Sequence, residues 1–203
     1  MRCLLCESWS LTHVCRACRK AQLSPSFYTR KILGKLPVHS FYKYDDIEPL
    51  LLTKHTDLGY HIYKILAAVS FGPYAKSFEL DEPVAVIGLD DHVRHGYSHT
   101  ALLARAMQGT NLTPRFSVLR DRSGHRYSGK DFQYRLTHPR EFVLKPFPEK
   151  KVILVDDILT TGLTLTQASE ALAMQGKEVL FCLTLADADN HAGRAADSSS
   201  FGS

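Results

Sequence analysis

No run of apolar residues in this 203-residue chain approaches the roughly 18–20 that a membrane helix needs, so no membrane insertion is expected. The opening residues, Met1-Arg2-Cys3-Leu4-Leu5-Cys6-Glu7, lack the apolar stretch of a secretory signal, and a cytoplasmic location is the expectation. Neither sign of charge dominates. Twenty-five Lys and Arg against 21 Asp and Glu leave a formal charge of +4, which suits phosphate or nucleic-acid partners without requiring them. No Gly-x4-Gly-Lys occurs, which excludes a Walker-type phosphate loop. Cysteine is scarce and uneven: of five, four fall within residues 1–18, and Cys182 sits alone in an apolar run. An odd count crowded at one end argues against a secreted disulfide framework and for metal in a reducing compartment.

What is present fits an ordinary globular chain, 44% hydrophobic and 23% charged. Residues 1–24 show no apolar periodicity, so their order must come from elsewhere. Residues 38–44 read as an aromatic-rich strand, followed by a short helix with Asp45-Asp46 at its start and Ile47, Leu50 and Leu51 inward. Leu58, Ile62, Ile65, Leu66 and Val69 recur at helical spacing up to Gly72-Pro73. Residues 83–88 form a short continuous apolar run of the kind buried on both faces of a parallel sheet. A helix over 98–107 and a strand over 116–119 follow. Residues 120–140 turn basic and poor in aliphatics, as a long functional or mobile loop does. A strand at 151–155, a helix at 163–175 ending at Gly176, and a strand at 178–185 complete the pattern. Alternating strands and helices predict an α/β domain with a central parallel sheet over residues 38–186, and residues 187–203 are excluded from it as a polar tail.

The most informative segment is Val152-Ile153-Leu154-Val155 running into Asp156-Asp157-Ile158-Leu159-Thr160-Thr161-Gly162-Leu163-Thr164. A strand that ends at a helix N-terminus presents unpaired N–H groups and a positive dipole end, an anion site. Gly162 lets backbone approach a phosphate closely, and Thr160, Thr161 and Thr164 add hydroxyl donors. Asp156 and Asp157, acceptors only when ionised, suit the vicinal hydroxyls of a ribose. The plainer alternative is that the carboxylates cap a helix. A cap needs one carboxylate, not two followed by Thr-Thr-Gly-x-Thr.

At the other end, Cys3-x2-Cys6 and Cys15-x2-Cys18 are two knuckle pairs that can close a tetrahedral sulfur site, the geometry Zn²⁺ prefers. A module this small then owes its folding to the metal. A redox dithiol is the competing reading, but such a pair normally opens a helix inside a βαβ fold.

The acidic-Thr-Gly segment closely resembles the phosphoribosyl-diphosphate motif of type I phosphoribosyltransferases. That resemblance implies that Asp156 and Asp157 bind ribose hydroxyls and that residues 158–164 (Ile158, Leu159, Thr160, Thr161, Gly162 and Thr164 among them) cradle the 5-phosphate. It also implies that an earlier strand-loop, here Leu89-Asp90-Asp91-His92, holds the diphosphate with Mg²⁺. A four-cysteine knuckle ahead of such a domain resembles the ComF family of competence proteins. Phe41-Tyr42-Lys43-Tyr44, Leu50-Leu51-Leu52-Thr53-Lys54 and Arg94-His95-Gly96-Tyr97-Ser98-His99 support the likeness, although Ser98-His99 stands where the family usually has Asn-Gln. This second resemblance implies a cytoplasmic role in natural transformation, with phosphoribosyl diphosphate, incoming single-stranded DNA and DNA-uptake proteins as partners. Arg115, Arg120, Arg122, Arg126, Lys130 and Arg135, interleaved with Phe116, Tyr127, Phe132 and Tyr134, have the composition that tracks phosphates and stacks on bases. Trp9 is a further candidate stacking ring. A solvated cover over the sugar-phosphate site and a salvage phosphoribosyltransferase for a purine or pyrimidine base remain the alternatives.

Overall fold

The computed structural model describes residues 1–78, 81–89, 93, 96–123 and 140–188. A six-stranded sheet runs through it in the order β1-β2-β8-β7-β3-β4, with β1 Tyr28–Ile32, β2 Leu36–Lys43, β3 Val84–Gly88, β4 Leu112–Pro114, β7 Lys151–Leu159 and β8 Glu178–Asp187. All neighbours pair in parallel except β1, which folds back antiparallel on β2. A separate two-stranded ribbon joins β5 Leu119–Asp121 to β6 Phe142–Leu144. The chain is mixed α/β with a mostly parallel central sheet, as its alternation of elements predicts.

Two apolar clusters cover the two faces of the sheet. One packs α2 Tyr44–Leu51, α3 Asp57–Val69, α4 Phe71–Ser77 and α5 His99–Ala106 against Val84, Val86, Ile153, Val155, Leu183 and Leu185. The other packs α6 Leu163–Ala173 and β6 against Ala85, Ile87, Val152 and Leu154. Alternation along β3 and β7 sends successive side chains to opposite clusters, which is why both strands read as unbroken apolar runs. The N-terminal segment is tied to the first cluster: Cys3, Val14, Cys18 and Leu23 are buried in it, and the His13 ring lies 4.9 Å from that of His61 on α3.

Several boundaries differ from the sequence reading. β1 was not expected, and it is joined to β2 by Leu33 and Gly34, both at positive φ, with the Lys35 N–H donating to the Ile32 carbonyl at 3.2 Å. α3 stops at Val69, and Gly72-Pro73 lie inside α4. The strand placed at 116–119 is absent; Ser117 has φ +55°, and the sheet strand is Leu112–Pro114 instead. β7 does not end at Val155 but continues through both aspartates to Leu159, because β8 stays paired with it as far as Asp187.

Candidate sugar-phosphate site and metal centre

Three features meet at the C-terminal end of the sheet, where open parallel sheets place their ligands. β3 ends at Gly88 and hands over to buried Leu89, whose N–H donates to the Val155 carbonyl at 2.9 Å and whose carbonyl accepts from Thr100 Oγ1 at 2.9 Å. A Cβ on Gly88 would come within 2.8 Å of the Thr100 carbonyl, so the start of α5 presses directly on this strand end. Ser98 caps α5, its Oγ accepting from the Ala101 N–H at 3.1 Å. Asp90 and Asp91, together with Arg94 and His95, lie outside the described residues.

The second feature is the turn from β7 into α6. Thr160 and Thr161 are exposed, Ile158 and Thr164 are half-buried, and Leu159 is buried. Gly162 takes the N-cap position of α6 with φ +75°, a left-handed conformation that L side chains adopt only at a cost. A Cβ there would also stand 2.6 Å from Ile32 Cγ2. The β1–β2 hairpin thus leans on the turn, and Arg30 adds a guanidinium that donates to the Thr160 carbonyl and pairs with Asp187 at 3.2 Å.

The third feature is the carboxylate pair. Asp156 is half-buried, and its Oδ1 accepts from the Asp157 N–H at 2.8 Å. Asp157 is buried on the face covered by α3 and α5. There its Oδ2 accepts from Lys54 Nζ at 2.9 Å and from the Tyr63 hydroxyl at 3.2 Å, with His99 Nε2 at 3.5 Å. Burial alone would raise the Asp157 pKa, but facing His99 and Lys54, and hydrogen-bonded by Lys54 and Tyr63, its carboxyl is held well below the usual carboxylate range. Burial and the neighbouring Asp157 drive the Tyr63 phenol well above its ordinary value, so it stays a donor. No local pattern points to Lys54, Tyr63 or His99, since Lys54 and Tyr63 lie 103 and 94 residues from Asp157 and only the fold brings them together.

The four N-terminal cysteines do converge: all four Sγ atoms lie within 4.8 Å of one another, and Cys6 and Cys15 are 3.7 Å apart. A tetrahedral site with Zn–S bonds of about 2.3 Å needs sulfurs about 3.8 Å apart, so the donor set fits a Zn²⁺-sized ion. N–H groups converge on the same sulfurs, Cys15 N–H donating to Cys3 Sγ at 3.3 Å and Cys18 N–H to Cys15 Sγ at 3.4 Å. α1, Arg16–Gln22, is capped by Cys15 and carries Arg19 and Lys20 in its last turn. Trp9 is 83% exposed on a short bridge to Arg2. Of the basic run, Arg115 is held in a bidentate pair with buried Glu149, while Arg120 and Arg122 are exposed. Arg126, Tyr127, Lys130, Phe132, Tyr134 and Arg135 fall outside the described residues. Cys182 is buried in β8, as its apolar surroundings predict. No helix among the described residues is long and apolar enough to cross a membrane.

The chain is similar, at low identity, to several solved structures. An adenine phosphoribosyltransferase from Saccharomyces cerevisiae is 17% identical over 87% of this chain and 92% of its own, with a TM-score of 0.46. A hypoxanthine phosphoribosyltransferase from Staphylococcus aureus is 18% identical over 63% of this chain, with a TM-score of 0.42, and the chain spans 64% of its length. An orotate phosphoribosyltransferase from Aeropyrum pernix is 20% identical over 87% of this chain and 83% of its own, with a TM-score of 0.37. No curated protein sequence matches the chain. The phosphoribosyl transferase domain profile matches residues 77–201, more than half of the sequence and all of the segment from β3 through β8. The chain belongs to the phosphoribosyl transferase domain family, with the type I-like α/β fold and a four-cysteine cluster at its N-terminus.

Proposed function

We propose that the chain binds 5-phosphoribosyl 1-diphosphate at the end of β7. The observation that carries this is the continuous path from two carboxylates, through exposed Thr160 and Thr161, to the left-handed Gly162 and the N-terminus of α6. Asp156 and Asp157 accept the ribose hydroxyls. Thr160, Thr161 and Thr164, with the N–H groups of the α6 first turn, donate to the 5-phosphate. Leu89, Asp90 and Asp91 take the diphosphate side. Mg²⁺ carried with the diphosphate would neutralise charge on a departing diphosphate. If transfer follows, diphosphate leaves the anomeric carbon through an oxocarbenium-like state, and the chain's part is to orient the ribose and the phosphate. The test is a titration with this ligand on the wild type and on Asp156→Ala.

We further propose that the chain acts as a ComF-type competence protein in the cytoplasm, binding single-stranded DNA beside DNA-uptake proteins, with Zn²⁺ in the cysteine cluster. The exposed Trp9 ring, on a short bridge to Arg2, supports this reading over base salvage, which has no use for such a ring. Single strands should bind more tightly than duplexes, because only unpaired bases stack. Affinity should fall with salt, each phosphate contact adding about −0.7 to the log–log slope. Trp9→Ala should cost about 1–3 kcal/mol of affinity, and replacing Arg122, Arg126 and Lys130 by Ala should flatten the salt slope. Filter binding across a salt series reads all of these. Salt-independent binding, or equal affinity for duplex, would move the salvage reading ahead.

A further inference from the structure

Resting on the sugar-phosphate site proposed above, we propose that Lys54 supplies the positive charge that lets an anionic sugar diphosphate settle against the paired carboxylates at the end of β7. The difficulty it answers is electrostatic. A ligand bearing a phosphate and a diphosphate brings several negative charges to a strand end that already carries the consecutive carboxylates Asp156 and Asp157, and like charges brought together where water is partly excluded repel strongly. Lys54 Nζ lies 2.9 Å from Asp157 Oδ2, and its side chain is 25% exposed while that of Asp157 is 8% exposed. Lys54 is thus the more exposed partner of the pair and brings its positive charge to the end of the sheet where the site lies.

The placement of Lys54 is fixed at both ends of the residue. Its head is held by Asp157, and its backbone carbonyl accepts from the Tyr97 hydroxyl at 2.7 Å. Tyr97 reaches that carbonyl only because Gly59, in the first turn of α3, has no Cβ: one there would stand 2.2 Å from the phenol oxygen. Tyr97 stands on the connection between β3 and α5, one residue before the Ser98 cap. Lys54 therefore links the β3–α5 side of the site to the carboxylate pair on β7. An anchor serving stability alone could dispense with its charge and keep the hydrogen bond, which gives the test its form.

Lys54→Gln keeps a donor for Asp157 and removes the charge, and Lys54→Arg keeps the charge. Lys54→Met, which leaves the buried carboxylate short of a donor, is the variant at risk of misfolding, so Lys54→Gln is the one measured, with its thermal melt as a check. Calorimetry uses two probes on the full chain, phosphoribosyl diphosphate with Mg²⁺ and ribose 5-phosphate, which carries less charge. With Lys54→Gln, affinity for the diphosphate ligand should fall about tenfold or more and that for ribose 5-phosphate by clearly less, while Lys54→Arg stays near the wild type. Equal losses for the two ligands, or no loss, would overturn the proposal and leave Lys54 an anchor. Absence of saturable binding by the wild type would instead overturn the sugar-phosphate reading itself.

Discussion

Purified without chelator, the chain should carry roughly one Zn²⁺ per molecule, and stripping that ion should lower the melting temperature of the whole protein, not of its first residues alone. The cysteine cluster has the sulfur spacing of a closed tetrahedral site, and part of it is already set for a metal. Burial would raise the Cys3 thiol, yet N–H groups of Cys15, Leu5 and Cys6 hold it down at about 6. Structural zinc in small modules contributes apparent binding energies of about 10–16 kcal/mol near neutral pH, comparable to the roughly 5–15 kcal/mol of one domain's net stability. The loss propagates because Cys3, Val14, Cys18 and Leu23 are buried in the same apolar cluster as α3, and the His13 ring packs 4.9 Å from that of His61 on α3. Once the module opens, that face of α3 meets water. Elemental analysis and melting curves with and without chelator read the effect, and Cys18→Ser should reproduce it. Metal-free protein that melts as the metal-bound form does, or a disulfide among these cysteines, would contradict it.

Asp157→Ala should destabilise the fold by about 3–5 kcal/mol, the usual loss when one partner of a buried ion pair is removed. The variant leaves the Lys54 ammonium, the Tyr63 hydroxyl and His99 without the carboxylate on which they converge. Because the folded-state pKa of Asp157 is depressed, the ionised group contributes its stability above the ordinary carboxylate pKa and loses it as pH falls through the lower, folded value. The stability gap between the wild type and Asp157→Asn should therefore stay constant from neutral pH down to about 5 and narrow only in stronger acid. Urea unfolding at several pH values measures this. A gap that closes between pH 7 and 5 would mean that another group is titrating. Asp156, half-buried on the same strand, is by contrast the carboxylate whose removal tests ligand binding with the fold intact.

Where the pattern was local, the sequence was sufficient. The buried runs of β3 and β7, the glycine at the head of α6 and the paired cysteines are each contiguous or nearly so, and each appears where its chemistry requires. What escaped is non-local or locally unfavourable. β1 alternates polar and half-buried residues along a sheet edge, and its turn puts Leu33 at positive φ, which few side chains accept. The two aspartates read as a loop because charged pairs rarely sit in a strand. They are strand residues here because Lys54, Tyr63 and His99, from three separate stretches of chain, satisfy one of them. Arg115 reads in sequence as part of a basic surface, whereas in the fold Glu149, 34 residues away, holds it.

Calorimetric titration of the full chain, purified without chelator, with phosphoribosyl diphosphate and Mg²⁺ tests most directly whether the end of β7 is a sugar-phosphate site. Saturable binding to the wild type is expected, with Asp156→Ala weaker by an order of magnitude or more, as the loss of one charge-assisted hydrogen bond of about 1.5–3 kcal/mol requires, and with an unchanged melting curve. No heat of binding to the wild type, or equal affinity in a folded Asp156→Ala variant, would contradict the assignment.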